Sequence, residues 1–309
     1  MSRPPAITAT LSRVAIEPYL ALIRAPFLLF SIIVISVPAA VAVEAGTFDP
    51  ANTVFAFGSV FFAHIAVNVL NIASDYRTGL DEQTEETAYS GGSDVLTEGS
   101  LSYRRAVVLG LLSIVVSALF VVPLLLEYGR IILLFYGVGL TLVVGYTDLF
   151  ARVGLGETAC GLGLTLLPTV AVGYIQAGTI PDTIVALAVP MFLVGFNLLL
   201  LNEFPDVEAD RENGRVNIPI VFGRQAAGYL YALLVGVIVV SLLYPIATGL
   251  LPPTVAVGVA PVALLVPVFR EVLSNGSPDI TEAALGNHIL WTQTTIAAFA
   301  VGLLLATVL

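Results

Sequence analysis

The chain has 309 residues, 58% of them hydrophobic and 11% charged, with a mean hydropathy of +0.98. That composition excludes an ordinary water-soluble globule and reads as an integral membrane protein. Its 22 acidic residues outnumber 12 basic ones for a net charge of −10; this disfavours nucleic acid as a partner, and the acid excess with every basic residue an Arg reads either as a cytoplasm of high ionic strength, where screening shortens like-charge repulsion, or as genome composition bias.

Nine apolar runs come near the roughly 20 residues that cross a bilayer: 19–43, 52–74, 105–126, 130–147, 155–177, 183–204, 225–249, 252–270 and 284–309. All are expected to be helices, since open strands leave backbone groups unsatisfied in lipid, and the short alternating segments of a barrel are absent. The expected class is therefore all-α, a polytopic bundle of nine transmembrane helices. Residues 1–18 are mixed and polar, with Arg3 and Arg13, and the run after them is too long for a signal peptide. They are expected to form a cytoplasmic segment, followed by a single transmembrane domain over 19–309. Nine crossings place Arg77, Arg104, Arg105, Arg152, Arg211, Arg215, Arg224 and Arg270 on the same side as Arg3 and Arg13, with only Arg130 opposite. By the positive-inside rule the N-terminus is cytoplasmic and the C-terminus external.

Along the chain, Arg24 interrupts the first run two residues before Pro26. It either snorkels to the cytoplasmic edge or faces a wet cavity, where it would receive the carboxylate of a substrate. His64 in the second run reads as a packed polar residue rather than a base. That run ends in Asn71-Ile-Ala-Ser-Asp75, and the sixth ends in Asn202-Glu-Phe-Pro-Asp206, which hints at a duplicated half. The loops that follow, 75–104 and 205–224, are long and polar, and function is expected to concentrate there. Cys160 is the single cysteine, so no intramolecular disulfide forms and packing is its expected role. Glycines at 156, 161, 163 and 173 permit close helix packing or leave a lateral groove for an apolar tail. His288 and Trp291 read as bundle and interface residues.

On a helix, residues four apart share a face, so Asn71 and Asp75 point together, as do Asn202, Asp206 and Asp210. Like charges at that spacing repel, and something positive is expected between them. Oxygen ligands without His or Cys suit a hard cation such as Mg²⁺, which takes one or two carboxylates and leaves other positions for water and phosphate. Asp81, after the helix breaker Gly79, joins the first cluster. Two facing clusters suit two Mg²⁺ ions on one diphosphate. Glu82, Glu85 and Glu86 read instead as a solvated face.

At this point "NIASDYRTGLD" (71–81) and "NEFPDVEADRENGR" (202–215) resemble the two Asp-rich motifs of the UbiA superfamily of intramembrane prenyltransferases. "IRAPFLLFS" in the first run, "GGSDVLTEGSLS" at 91–102, "YTDLFARVGLGE" at 146–157 and "LLPTVAVGYIQAG" after it extend the resemblance over most of the chain. The middle stretches look most like the branch that prenylates 1,4-dihydroxy-2-naphthoate in menaquinone synthesis. Departures are Ile72 where an Asp often follows the first Asn, a shortened stretch between Tyr146 and Gly154, and "NGRVNIP" where a Lys-Arg pair is common, so that Arg215 replaces the Lys and Val216 leaves the second cation missing.

The resemblance implies Mg²⁺-dependent transfer of a polyprenyl group from a polyprenyl diphosphate to an aromatic acceptor. It implies metal ligation by Asn71, Asp75, Asp81, Asp206 and Asp210, and catalytic roles for Asp75, Asp206, Asp210 and Tyr146. Substrate binding falls to Arg24, Asn68, Arg104, Arg215 and Asn202. The expected location is the plasma membrane with the site on its cytoplasmic side, and no obligatory protein partner is evident. The alternatives are transfer to a non-aromatic acceptor such as geranylgeranylglyceryl phosphate, and a divalent-cation transporter. Transporters usually carry charge at mid-membrane, and here Glu157, near a helix start, is almost alone there.

Overall fold

The computed structural model describes residues 16–84, 93–274 and 278–309. Glu85, Glu86, the start of "GGSDVLTEGSLS" and nearly all of the expected N-terminal segment lie outside the described residues. Within them the chain is all-helical, with no strand. The helices are α1 (Glu17–Leu22), α2 (Leu29–Glu44), α3 (Pro50–Thr78), α4 (Asp94–Thr97), α5 (Tyr103–Tyr128), α6 (Ile131–Gly145), α7 (Gly156–Ala177), α8 (Asp182–Asn202), α9 (Val207–Glu212), α10 (Ile218–Phe222), α11 (Arg224–Ala247), α12 (Pro253–Val272) and α13 (Glu282–Ala306).

Eight helical stretches are long and apolar enough to cross a membrane. The remaining apolar run, 130–147, yields the 15-residue α6, about 22 Å long against a hydrocarbon core of roughly 30 Å. The first run is not one helix either. Arg24 adopts a left-handed conformation (φ 50°, ψ 54°) between α1 and a 3₁₀ turn at Ala25–Leu28, where Pro26 supplies no N–H to continue the ladder. Prolines also shape α12, whose first part, Pro253–Leu265, is a 3₁₀ helix containing Pro261. In α7 the residues Gly161–Leu166 form a π-helical turn.

Local signals start and stop the helices that carry the site. Asp49 caps α3 by accepting from the Asn52 N–H at 3.0 Å, with Pro50 in its first turn. Gly79 ends α3 at φ +79°, a conformation that costs glycine nothing. Ser102 caps α5, and Asn217 caps α10 through the Ile220 N–H at 2.9 Å.

Packing divides the bundle. The largest apolar core joins α2, α8, α11, α12 and α13 through residues such as Val34, Met191, Tyr231, Val268, Trp291 and Phe299. Two smaller cores line α3: one joins it to α1 and α5 (Leu22, Ile65, Val69, Ile72, Ala106), the other to α2, α5, α6 and α7 (Ile35, Ala56, Leu124, Ile132, Val172). α3 and α5 pack closely because Gly58 and Gly110 lack side chains; an added Cβ would lie 2.4 Å from Phe120 and 2.7 Å from Leu70. The outer face of α5 exposes Leu111, Leu112, Val115, Leu119 and Leu126, as a helix that is apolar on all sides does when its outer face meets lipid rather than water.

Candidate active site

At the end of the bundle where α3 and α8 terminate, a cavity of about 130 Å³ is lined by Arg24, Asn71, Asp75, Asp81, Tyr146, Asn202, Asp206, Asp210 and Arg215, together with Leu80, Thr84, Ala151, Leu199, Glu203 and Asn217. Eleven residues are singled out in the sequence for this chemistry; nine of them, Arg24, Asn71, Asp75, Asp81, Tyr146, Asn202, Asp206, Asp210 and Arg215, line this basin, and Asn68 and Arg104 do not. Asn68 lines the neighbouring cavity, with its amide donating to the Ile23 carbonyl at 3.0 Å. Arg104, by contrast, is exposed on the first turn of α5 and lines neither cavity.

The two motifs meet through one cation. Arg215 donates to Asp75 and, at 3.1 Å, to Asp210, so its guanidinium joins the end of α3 to α9. The positive group expected between neighbouring carboxylates is supplied by this side chain. Burial by itself lowers the Arg215 pKa, but the charges of Asp75 and Asp210 outweigh it and hold the group firmly protonated. Asp210 is also bonded by the Asn217 amide at 3.2 Å, and burial raises its pKa. Asp206 and Asp210 stand one helical turn apart, the Asp210 N–H donating to the Asp206 carbonyl at 2.8 Å. Asn202 is not on that same helix, because α8 ends there and the chain turns through Pro205 before α9. The turn nevertheless returns all three residues to one cavity.

Asp81 sits on a 3₁₀ turn, Leu80–Glu82, immediately after Gly79. Its Oδ1 accepts from the Ser93 N–H at 3.2 Å, while its Oδ2 is buried without a partner, as is Oδ1 of Asn202. Burial, reinforced by the charge of Asp75, lifts its pKa to about 7. Unpaired buried oxygens are costly in a folded protein. Among the described residues no three His, Cys, Asp or Glu side chains converge tightly enough to hold a metal unaided, since Arg215 stands between the carboxylates. The donor set is all oxygen, with three buried oxygens (Asp81 Oδ2, Asn202 Oδ1 and Glu203 Oε2) lacking partners, and it fits a hard cation that completes its shell with ligand oxygens.

A segment not singled out residue by residue in the sequence holds the two arms in place. Thr147 accepts from Asn71 at 3.1 Å, and Asp148 accepts from Ser74 at 2.7 Å and from Arg77 at 2.9 Å; the Ser74 bond, aided by Arg77, lowers the Asp148 pKa. On the other side the Val216 N–H donates to the Ala151 carbonyl at 2.8 Å and Arg152 to the Asn213 carbonyl at 3.3 Å. Directly across the mouth, Asn213 donates to Gln83 at 2.8 Å. Glu203, also unassigned in the sequence, lines the basin beside Glu157 with its Oε2 buried and unpartnered, and Glu157 accepts from the Ile218 N–H at 2.8 Å. Acidic residues beside an apolar run were the available signal for Glu203; nothing local pairs it with Glu157.

A second, mainly apolar cavity of about 290 Å³ adjoins the basin and shares Arg24, Asn71 and Tyr146 with it. It runs between α3, α5, α6 and α7, and its lining residues are buried or partly exposed. His64 lines it with Nδ1 paired to Ser31 Oγ at 2.9 Å, and Cys160 lines it as well. His288 is remote and fully buried, paired with Tyr231 at 2.8 Å, and stacked on Trp291.

Several solved structures share this architecture. A UbiA homologue from Archaeoglobus fulgidus, bound to GPP and Mg²⁺, matches with a TM-score of 0.67 at 16% identity, over 93% of this chain and 99% of that one. A digeranylgeranylglyceryl phosphate synthase matches with a TM-score of 0.64 at 17% identity, over 94% and 99%. A UbiA homologue from Aeropyrum pernix K1, without ligand, matches with a TM-score of 0.66 at 16% identity, over 89% and 98%. No curated protein sequence matches. The profile of the UbiA prenyltransferase family covers residues 29–291. The chain is thus a multi-pass membrane protein and a prenyltransferase that belongs to the UbiA prenyltransferase family.

Proposed function

We propose that the protein transfers a polyprenyl group from a polyprenyl diphosphate, in the presence of Mg²⁺, to an aromatic acceptor, 1,4-dihydroxy-2-naphthoate. The observation that carries the reading is the junction of an acidic, oxygen-lined basin with a mainly apolar cavity at Arg24, Asn71 and Tyr146. A diphosphate fits the first and its isoprenoid tail the second. The fold likeness to a homologue bound to GPP and Mg²⁺ supports the same division.

Asn71, Asp75, Asp81, Asp206 and Asp210 would hold two Mg²⁺ ions, whose charge neutralises the diphosphate as a leaving group. Arg215, already poised between Asp75 and Asp210, turns toward phosphate oxygens that compete for its guanidinium. Asn202 adds an amide to the same wall. The C1–O bond breaks with its electron pair leaving on the diphosphate, and the allylic cation forms beside Tyr146, whose ring face favours positive charge. The apolar cavity keeps water away until a ring carbon of the acceptor donates a pair to C1. Aromaticity returns when that carbon releases what it carried, a proton or a carboxylate leaving as carbon dioxide. Arg24 stands at the junction, placed to hold an acceptor carboxylate, with Asn68 one layer deeper.

In this reading α6 completes a set of nine crossings, tilted or shortened at the site end. The N-terminus and both Asp-rich arms face the cytoplasm, the C-terminus is external, residues 19–309 form one domain, and the enzyme resides in the plasma membrane. The test is to incubate membranes containing the protein with Mg²⁺, a labelled prenyl diphosphate and, separately, dihydroxynaphthoate or an isoprenylglyceryl phosphate. A labelled prenylnaphthalene product supports the reading. Product only from the glyceryl phosphate reassigns the acceptor, and Mg²⁺ flux in proteoliposomes without any product rejects the enzyme.

A further inference from the structure

The apolar cavity has a definite depth and a closed floor. Its lining follows one face of α3 from Asn71, at the basin, down to Ala56. These residues are fifteen apart, and at 1.5 Å of rise per residue the cavity descends about 22 Å. At its far end it is bounded by Ala56, Leu124, Ile132, Phe135 and Ile175.

Beyond that ring the space is filled by polar and aromatic groups bonded to one another. Asn52, one turn past Ala56, donates to the Tyr128 hydroxyl at 2.7 Å, and Tyr128 lies one turn past Leu124. Tyr174 packs against both Tyr128 and Phe135, at ring separations of 6.3 and 5.8 Å. Gln176, next to Ile175, accepts from the Asp49 N–H at 2.7 Å and donates to Thr53 at 2.9 Å. These bonds tie the outer ends of α3, α5 and α7 together. A tail that pushed through would leave several polar groups without partners in apolar surroundings, each at a cost of about 1–3 kcal/mol.

Building on the prenyl-transfer reading, we infer that this cavity measures its donor and admits about four isoprene units, so that C20 diphosphates are the preferred substrates. With the diphosphate at Asn71 and Asp75, C1 sits at the level of Asn68 to Asn71, leaving about 18–22 Å to the floor. An extended isoprene unit of four chain carbons advances about 5 Å, so the fourth unit reaches Ala56 and Leu124. Shorter tails leave the bottom of the cavity unfilled. Longer tails must fold back or open the floor.

The experiment compares kcat/KM for C10, C15, C20, C30 and C40 prenyl diphosphates at fixed Mg²⁺ and a saturating acceptor, in membranes containing the full chain. The expected profile peaks at C20 and falls roughly tenfold or more on either side, since packed pockets discriminate by such factors for even small changes in bulk. Leu124→Ala deepens the floor and is expected to move the optimum above C20. Val60→Phe, which adds bulk one turn above Ala56, is expected to move it to C15 or below. A wild-type profile in which C30 and C40 donors match C20 overturns the ruler while leaving prenyl transfer intact, as do two active variants whose optima stay at C20. Absence of transfer from every donor overturns the proposed function and the ruler with it.

Discussion

The Arg215 guanidinium pairs with the Asp75 carboxylate across 140 residues of chain, and this one contact brings the two Asp-rich arms to a common centre. Both groups are largely shielded, with side-chain exposures of 20% and 9%. Arg215→Gln keeps a hydrogen-bonding amide but removes the charge, leaving Asp75 and Asp210 to repel one another. We expect the KM for the prenyl diphosphate to rise about ten- to hundredfold, the scale of losing a charge-assisted bond. Arg215→Lys should recover only part of the loss, because an ammonium lacks the planar fork that reaches two carboxylates. Steady-state kinetics on matched membrane preparations checks both; an unchanged KM in Arg215→Gln would detach the residue from the diphosphate.

Each arm is expected to be indispensable. Asp75→Ala or Asp206→Ala removes one carboxylate from the oxygen set and should lower kcat/KM at least about 10²-fold, with the protein still monodisperse in detergent. EDTA should reproduce the loss in the wild type, and added Mg²⁺ should reverse it. Near-normal turnover by either variant at matched expression would sink the two-arm arrangement.

Asp81 predicts a pH dependence of the metal requirement. Its folded pKa of about 7 stands above the roughly 3.9 of an unfolded Asp, so the folded protein retains this proton longer. The intrinsic stability contribution is therefore fullest below about pH 3.9 and is lost as pH rises through 7. With Asp81 as a ligand, as proposed, metal would displace the same proton, and apparent Mg²⁺ affinity should rise with pH, by up to about tenfold per unit below 7, levelling above it. Mg²⁺ titrations of activity at pH 6, 7 and 8 read this directly. Asp81→Asn should weaken Mg²⁺ binding and flatten its pH dependence.

Arg24 is the one non-glycine residue with positive φ among the described residues. A bulky residue in that region costs about 1–2 kcal/mol, and here the strain sets the side chain at the throat between the two cavities. Arg24→Lys is expected to raise the KM for dihydroxynaphthoate about ten- to hundredfold and to change that for the prenyl diphosphate little. Equal KM values for both substrates in variant and wild type would remove Arg24 from the acceptor site. An effect confined to the diphosphate would assign it to the leaving group.

Arg104 provides a contrast within the same class of residue. It is exposed at the start of α5 and lines neither cavity, so Arg104→Ala should leave kcat/KM within about twofold, as surface substitutions usually do. A loss of tenfold or more would show that the first loop brings this side chain to the substrate.

The sequence by itself determined the solvent and the chemistry. Apolar runs declare a helical membrane protein because backbone polarity has no other refuge in lipid, and Asp75, Asp81, Asp206 and Asp210 stand out as candidates because carboxylates beside such runs are expensive unless paired or used, with Asn71 one helical turn from Asp75. The break after Asp75 was legible too, in Gly79. What only the tertiary structure decided depends on contacts far apart in the chain. Whether Arg104 or Arg215 faces the site cannot be read locally, since both lie in Arg-bearing loops that the positive-inside rule explains equally well. Arg215 is chosen because the Val216–Ala151 and Arg152–Asn213 bonds fix its loop against the 146–152 segment, which is itself bonded to α3. Arg24 read as a residue inside a helix and proved to lie at a break, because periodicity reports apolar length and not the backbone conformation that a nearby proline imposes. The depth of the apolar cavity belongs to the fold alone: it is set by Asn52, Tyr128, Tyr174 and Gln176, four residues on three helices that meet only when those helices pack.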